Sequence, residues 1–127
     1  MTAKRAILIV DDNVALTKSM ALILKLKGHH VVTAHSGKDA IDFVRSQPFD
    51  LIIMDIKMHE MNGVEALKEI RKIRSVVSVL MMTAYQMDPQ ISEAMELGVM
   101  GVLKKPFDME AIFQIIEHIG ENISSTA

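Results

Sequence analysis

Short apolar runs alternate with amphipathic stretches along the chain. Ala6-Ile7-Leu8-Ile9-Val10 and Leu51-Ile52-Ile53-Met54 are apolar at every position, the pattern of strands covered on both faces. Weaker runs lie at Val31–Ala34, Val77–Met82 and Val99–Leu103. Between the runs, apolar residues recur at helical spacing, as in Leu16, Met20, Ile23 and Leu24, or Ala66, Leu67, Ile70 and Ile73. The same spacing places Ala40, Ile41 and Val44, then Ile91, Ala94 and Met95, then Met109, Ile112, Phe113 and Ile116 on single helix faces. Ser36 and Pro89 suit helix starts, and Gly28 and Gly98 suit helix ends. The pattern predicts five strands alternating with five helices, with a last helix over residues 108–119 and a polar tail at 122–127. Such alternation implies parallel strands, right-handed crossovers and helices on both faces. The expected fold is an α/β doubly wound, three-layer (βα)5 sandwich.

Composition narrows the function. A chain of 127 residues suits one domain, expected over 1–121, with 122–127 as a polar tail or the start of a linker. Half the residues are hydrophobic, enough for a sizeable core. A net charge of −2 gives no basic footprint for nucleic acid. No apolar stretch approaches the roughly 20 residues of a membrane span, and Met1-Thr2-Ala3-Lys4-Arg5 does not read as a secretory signal. The absence of cysteine excludes disulfides, thiolate metal sites and a thiol nucleophile. A cytoplasmic location is expected.

Polar residues stand where the apolar runs stop. Asp11 and Asp12 follow the first strand, Asp55 the third, Thr83 the fourth and Lys105 the fifth. In a parallel sheet these ends share one edge, the edge at which ligands bind. Singly, each has a plain reading: a turn or cap for the Asp residues and Thr83, a solvated side chain for Lys105. Together they carry a chemistry. Two like charges about 4 Å apart repel by about 4 kcal/mol at an effective dielectric near 20, so three carboxylates in one cleft call for a cation or a proton. Oxygen ligands suit Mg²⁺. A lysine and a hydroxyl suit the oxygens of a transferring phosphoryl group, and a carboxylate can be the nucleophile that becomes an aspartyl phosphate. Asp55, the lone carboxylate on a central strand, is the best candidate for that nucleophile, and Asp11 and Asp12 for metal ligands.

The ordered set Val10-Asp11-Asp12-Asn13, Met54-Asp55, Met58 with Met61-Asn62-Gly63, Met82-Thr83-Ala84-Tyr85, Leu97-Gly98 and Lys105-Pro106-Phe107 resembles the receiver domain of two-component response regulators. The resemblance extends to about residue 120. It implies a flavodoxin-like sheet of order 2-1-3-4-5. It further implies that Asp55 takes a phosphoryl group from a phosphohistidine on a sensor histidine kinase or histidine phosphotransfer domain. Mg²⁺ (or Mn²⁺) would be held by Asp12, by Asp11 mainly through water, by Asp55 and by the backbone carbonyl of Lys57. Lys105 would pair with Asp55 or its phosphate, Thr83 would swing toward the phosphate with its loop, and the Lys105–Pro106 bond would be cis. Ala84 would leave room for the phosphoryl group, and Tyr85 would border the site and tune access and hydrolysis. The domain would be a signalling module assisting its own phosphorylation, not an enzyme acting on a separate substrate. It would itself bind neither nucleic acid nor membrane.

Two positions depart from the family pattern. His59 stands where a proline is common, and reads as an exposed loop residue rather than a metal or proton group. Val102 stands where many receivers carry an aromatic that moves with the threonine, which puts relay to the output face in question. That face, built from the fourth helix, fifth strand and fifth helix, is also the expected surface for a homodimer. On the first helix, Ala15, Ser19, Leu22 and Leu26 form a second stripe. It reads equally as a docking patch for the phosphodonor, with Leu22 exposed, or as packing against the last helix. Two other functions fit the fold. A phosphatase forming an aspartyl phosphate needs an Asp two residues after the nucleophile, where Lys57 stands, and a flavin-binding domain needs a hydroxyl- and glycine-rich loop in place of Asp11-Asp12.

Overall fold

Five strands, β1 (Ala6–Val10), β2 (His30–Ala34), β3 (Leu51–Asp55), β4 (Ser78–Thr83) and β5 (Gly101–Lys104), form one parallel sheet of order β2-β1-β3-β4-β5 in the computed structural model. The helices between and after them are α1 (Val14–Leu26), α2 (Gly37–Ser46), α3 (Gly63–Ile73), α4 (Gln90–Glu96) and α5 (Met109–Ser125). The structure describes residues 4–85 and 87–125. Among them no helix is long and apolar enough to cross a membrane.

The unbroken apolar runs have a direct cause. Successive strand residues point to opposite faces, and both faces are covered. Ile7, Ile9, Leu51, Ile53, Leu80 and Met82 pack beneath α1 and α5, with Met20, Leu24, Ile112, Ile116 and Ile119. Leu8, Val10, Ile52, Met54, Val79 and Met81 pack beneath α2, α3 and α4, with Ile41, Val44, Leu67, Ile70 and Ala94. Burial of each large side chain contributes roughly 1.5–3 kcal/mol. These strands are therefore the rigid base from which the loops at their carboxyl ends are held.

Local signals set the helix ends. The Asn13 side chain accepts from Leu16 N–H and caps α1, and Ser36 accepts from Asp39 N–H and caps α2. α3 opens with a reciprocal capping box between Asn62 and Glu65. Gly63 permits a close approach: a Cβ there would lie 2.3 Å from the carbonyl oxygen of Asp55. The loop after β3 therefore folds tightly back on the strand that carries Asp55, and Gly63 N–H donates to Ile56 C=O at 2.7 Å.

Three expectations are corrected. α5 continues past Ile119 to Ser125, through the boundary expected at 121 and most of the expected tail. The lone Gly120 costs a helix only about 1 kcal/mol, too little to end it. Thr126 and Ala127, also assigned to the tail, lie outside the described residues. β5 begins at Gly101, not Val99, because Val99 is buried within the turn that leaves α4 after Gly98 (φ 81°). Met95 is 52% exposed and not core, since α4 has only seven residues and buries only Ala94. The α1 stripe, which the sequence left open between a docking patch and packing on α5, is exposed at Ala15, Ser19, Leu22 and Leu26.

Candidate functional site

The carboxyl ends of β1 and β3, neighbours in the sheet, carry the acidic residues. Oxygens of Asp11, Asp12 and Asp55 lie within 4.8 Å of one another. Asp11 and Asp55 are buried, and Asp12 is partly open to solvent. Asp11 Oδ1 accepts from Asn13 N–H at 3.0 Å, which fixes the turn into α1. Asp12 Oδ2 accepts from His59 N–H at 3.1 Å, which ties the loop after β3 to the loop after β1.

Lys105 reaches this cluster from the end of β5. Its Nζ lies 2.6 Å from Asp11 Oδ2 and 3.5 Å from Asp55 Oδ2. The expected pairing with Asp55 is present, but Asp11 is the closer partner. One ammonium does not balance three carboxylates. Burial, then the charge of Asp11, raise the Asp55 carboxyl to about 6, against the opposing pull of Lys105. The cluster therefore favours an added positive charge. An all-oxygen donor set of this size fits a hard divalent cation.

Thr83 ends β4 beside Asp55; it is buried, and its hydroxyl donates to Tyr85 C=O at 3.1 Å and accepts from Tyr85 N–H at 3.0 Å. Its loop is thus held by local bonds that a competing acceptor on the cleft side can replace. Ala84 and Tyr85 are exposed, and the Lys105–Pro106 bond is cis. Val102 is half-buried and packs against the α2–α4 side of the core. Leu22 is 60% exposed on α1. Nearby, Leu16, Met20, Ile23, Pro106 and Phe107 line an apolar groove of about 380 Å³ between α1 and the β5–α5 loop.

Two residues, one beside the site and one at the far end of α4, were not singled out from sequence. The buried Asp88 carboxylate accepts from the N–H of Gln90, the first residue of α4, at 2.9 Å, and its other oxygen lies 3.7 Å from Lys57 Nζ. An Asp directly before Pro89 is a recognisable cap signal. Arg71 reaches from α3 to the far end of α4, donating to Leu97 C=O at 2.9 Å and Gly98 C=O at 3.1 Å, and also to Val77 C=O. Its partners are backbone carbonyls distant in sequence, which leave no sequence signal.

Comparison with known proteins agrees with this arrangement. Residues 7–117 match the family model described as response regulator receiver domain. The chain is 37% identical over 111 residues to the transcriptional regulatory protein ZraR of Escherichia coli K12, covering 87% of this chain and 25% of that protein. It thus spans about a quarter of the length of the curated relative. Among solved structures it is similar to the chemotaxis protein CheY4 of Vibrio cholerae, with a TM-score of 0.84 at 28% identity, covering 92% of this chain and 99% of that one. It is also similar to the receiver domain of sensor histidine kinase PA1611 of Pseudomonas aeruginosa, which has a magnesium ion coordinated in its active-site cleft. That match has a TM-score of 0.83 at 26% identity and covers 93% and 99% of the two chains. With its sheet order, its acidic cleft and a family match over most of its length, the chain belongs to the receiver domains of two-component response regulators.

Proposed function

We propose that Asp55 is the phosphoryl acceptor of this receiver, taking the group from a phosphohistidine on a sensor histidine kinase or histidine phosphotransfer domain. The observation that carries this reading is the position of Asp55: it ends a central strand, among Asp11, Asp12 and Lys105, beside the Thr83 hydroxyl. Asp11, Asp12, Asp55 and the backbone carbonyl of Lys57 would hold Mg²⁺ (or Mn²⁺). A divalent cation there supplies counter-charge to the carboxylates and to the phosphoryl oxygens. The ionised Asp55 carboxylate, its charge offset by Lys105 and by a bound cation, offers an oxygen to attack phosphorus. The P–N bond breaks with its electron pair on the imidazole nitrogen, and the imidazole, protonated at its other nitrogen, leaves neutral. The Lys105 ammonium sits 3.5 Å from the accepting carboxylate and faces the new negative charge. Thr83 exchanges its bonds to Tyr85 for one to a phosphoryl oxygen, drawing the β4–α4 loop inward. Tyr85 and the compact Ala84 border the path to Asp55.

The exposed α1 stripe and the neighbouring groove are the proposed docking surface for the phosphodonor, with Leu22 as its apolar centre. Output, including any homodimer, is assigned to the face of α4, β5 and α5. Met95 and Met100 are exposed at α4 and the turn that follows it. Intact mass tests the central step. With Mg²⁺ and acetyl phosphate the protein gains one phosphoryl group, and Asp55→Asn gains none. An unchanged wild-type mass under conditions that label other receivers refutes the assignment.

A further inference from the structure

We propose that Asp88 is a positioning residue for the phosphoryl switch: its carboxylate closes on the Lys57 ammonium when the β4–α4 loop moves toward Asp55, completing an ion pair that the resting form leaves unfinished. The inference rests on the reading of Asp55 as the phosphoryl acceptor, and adds to it the contact that holds the loop in its switched place.

The start of α4 is short of donors. Asp88 is 6% exposed, and one of its carboxylate oxygens accepts from Gln90 N–H at 2.9 Å. The other, Oδ2, is shut off from solvent and accepts no hydrogen bond among the described residues. Lys57 Nζ stands 3.7 Å from it, just outside hydrogen-bond reach. Gln90 Oε1 is buried without a hydrogen bond as well. Buried acceptors left unpaired are a standing cost that an arriving donor removes. Lys57 carries three N–H donors on a half-exposed side chain, so it has donors to give and room to move. Lys57, Tyr85, Met87, Asp88 and Pro89 line a cleft of about 520 Å³ between the two loops, space into which the β4–α4 loop can close.

The rest of α4 is already fastened to the same neighbour. Lys68 of α3 pairs with Glu93 at 2.5 Å, and Arg71 of α3 donates to Leu97 C=O and Gly98 C=O. The middle and the far end of α4 are thus held by cations from α3, while the matching contact at its near end stays open. That end adjoins the Thr83 loop, whose hydroxyl bonds are both to the backbone of Tyr85. Lys57 follows Asp55 by two residues, so its backbone belongs to the strand end that receives the phosphoryl group and its ammonium faces the loop that moves. Inward movement of the loop shortens the 3.7 Å gap and completes the pair. Whatever the closed pair contributes to the switched loop, it contributes equally to holding a phosphoryl group at Asp55.

Amide NMR spectra in saturating Mg²⁺, titrated with beryllofluoride as a stable phosphoryl mimic, test this in the wild type, Asp88→Asn, Lys57→Met and the double variant. Each single substitution is expected to weaken beryllofluoride binding about fivefold or more. The double variant should bind no more weakly than the weaker single, because both substitutions remove one contact. Without beryllofluoride, Asp88→Asn should unfold at the same urea concentration as the wild type or a higher one. Asn keeps the acceptor for Gln90 N–H and removes a charge that has no hydrogen bond on its second oxygen. Unchanged affinity in either single variant overturns the inference, as do additive losses in the double variant or a lower urea midpoint for Asp88→Asn. A folded wild type that takes up no beryllofluoride overturns the phosphoryl-acceptor reading itself, and the inference with it.

Discussion

Lys105 Nζ lies closer to Asp11, at 2.6 Å, than to Asp55, at 3.5 Å, so the lysine at the end of β5 serves first as counter-charge to a carboxylate on β1. The Asp11 side chain is 1% exposed, so bulk solvent does not replace that ammonium. In metal-free protein, Lys105→Met is expected to cost about 2–4 kcal/mol at neutral pH, as for other buried charges stripped of a partner. Millimolar Mg²⁺ should recover part of the loss, since it supplies the missing charge. Urea unfolding with EDTA and with Mg²⁺ measures both effects. Equal destabilisation in the two conditions would show that the lysine acts by packing alone.

The raised Asp55 carboxyl gives a pH dependence of definite sign. The unfolded chain releases this proton near 3.8, and the folded protein keeps it to about 6. Between those values the folded state binds more protons. The contribution to stability is full below about 4 and is lost as pH rises through 6, by up to about 3 kcal/mol. Asp55→Asn should remove this slope and exceed the wild type in stability at pH 7.5 with EDTA present. Urea midpoints at pH 5 and 7.5 test it, and a variant less stable than wild type at the higher pH contradicts it.

Arg71 donates to the backbone carbonyls of Leu97 and Gly98, just past α4, and of Val77, just before β4. Arg71→Met keeps much of the aliphatic length and removes every donor. A loss of about 2–4 kcal/mol is expected from the stranded acceptors. Hydrogen exchange should quicken in α4 and at the start of β5, with β1 and β3 less affected. Uniform acceleration across the sheet would argue against a local role.

Leu22→Glu places a charge at the centre of the exposed α1 stripe. Transfer from a cognate kinase should slow by tenfold or more, on the scale of an interface anchor worth above 1 kcal/mol. Labelling by acetyl phosphate should be unchanged, because Leu22 is exposed on α1 and is not one of the residues of the acidic cluster. Equal loss with both donors rejects the docking role.

Much of this was legible in the chain because burial on both faces writes itself plainly. Ile7 to Val10 of β1 and the first four residues of β3 are apolar since each packs in one core layer or the other. Asp55 was legible for the complementary reason, a single carboxylate where such a run stops. The boundaries that failed lie where one residue's signal is weak against its surroundings. Val99 looks like a strand residue but is buried in a turn, and Gly120 looks like a stop but sits within α5. Met95 has the spacing of a core residue on a helix too short to bury it. Asp88, Lys57 and Arg71 act through ion pairs and carbonyls across the fold, and no periodicity marks such contacts.

Arg71 holds the carbonyl end of α4 at Leu97 and Gly98, on the side away from Asp55, while the opposite end begins at Gln90, bonded to Asp88 on the Thr83 side. Under the proposed switch, a pull begun at Thr83 would reach the near end of α4 first, while Arg71 holds Leu97 and Gly98 in place. α4 would then act as a lever whose pivot is a guanidinium, its stroke set by a residue that stands apart from the proposed phosphate site.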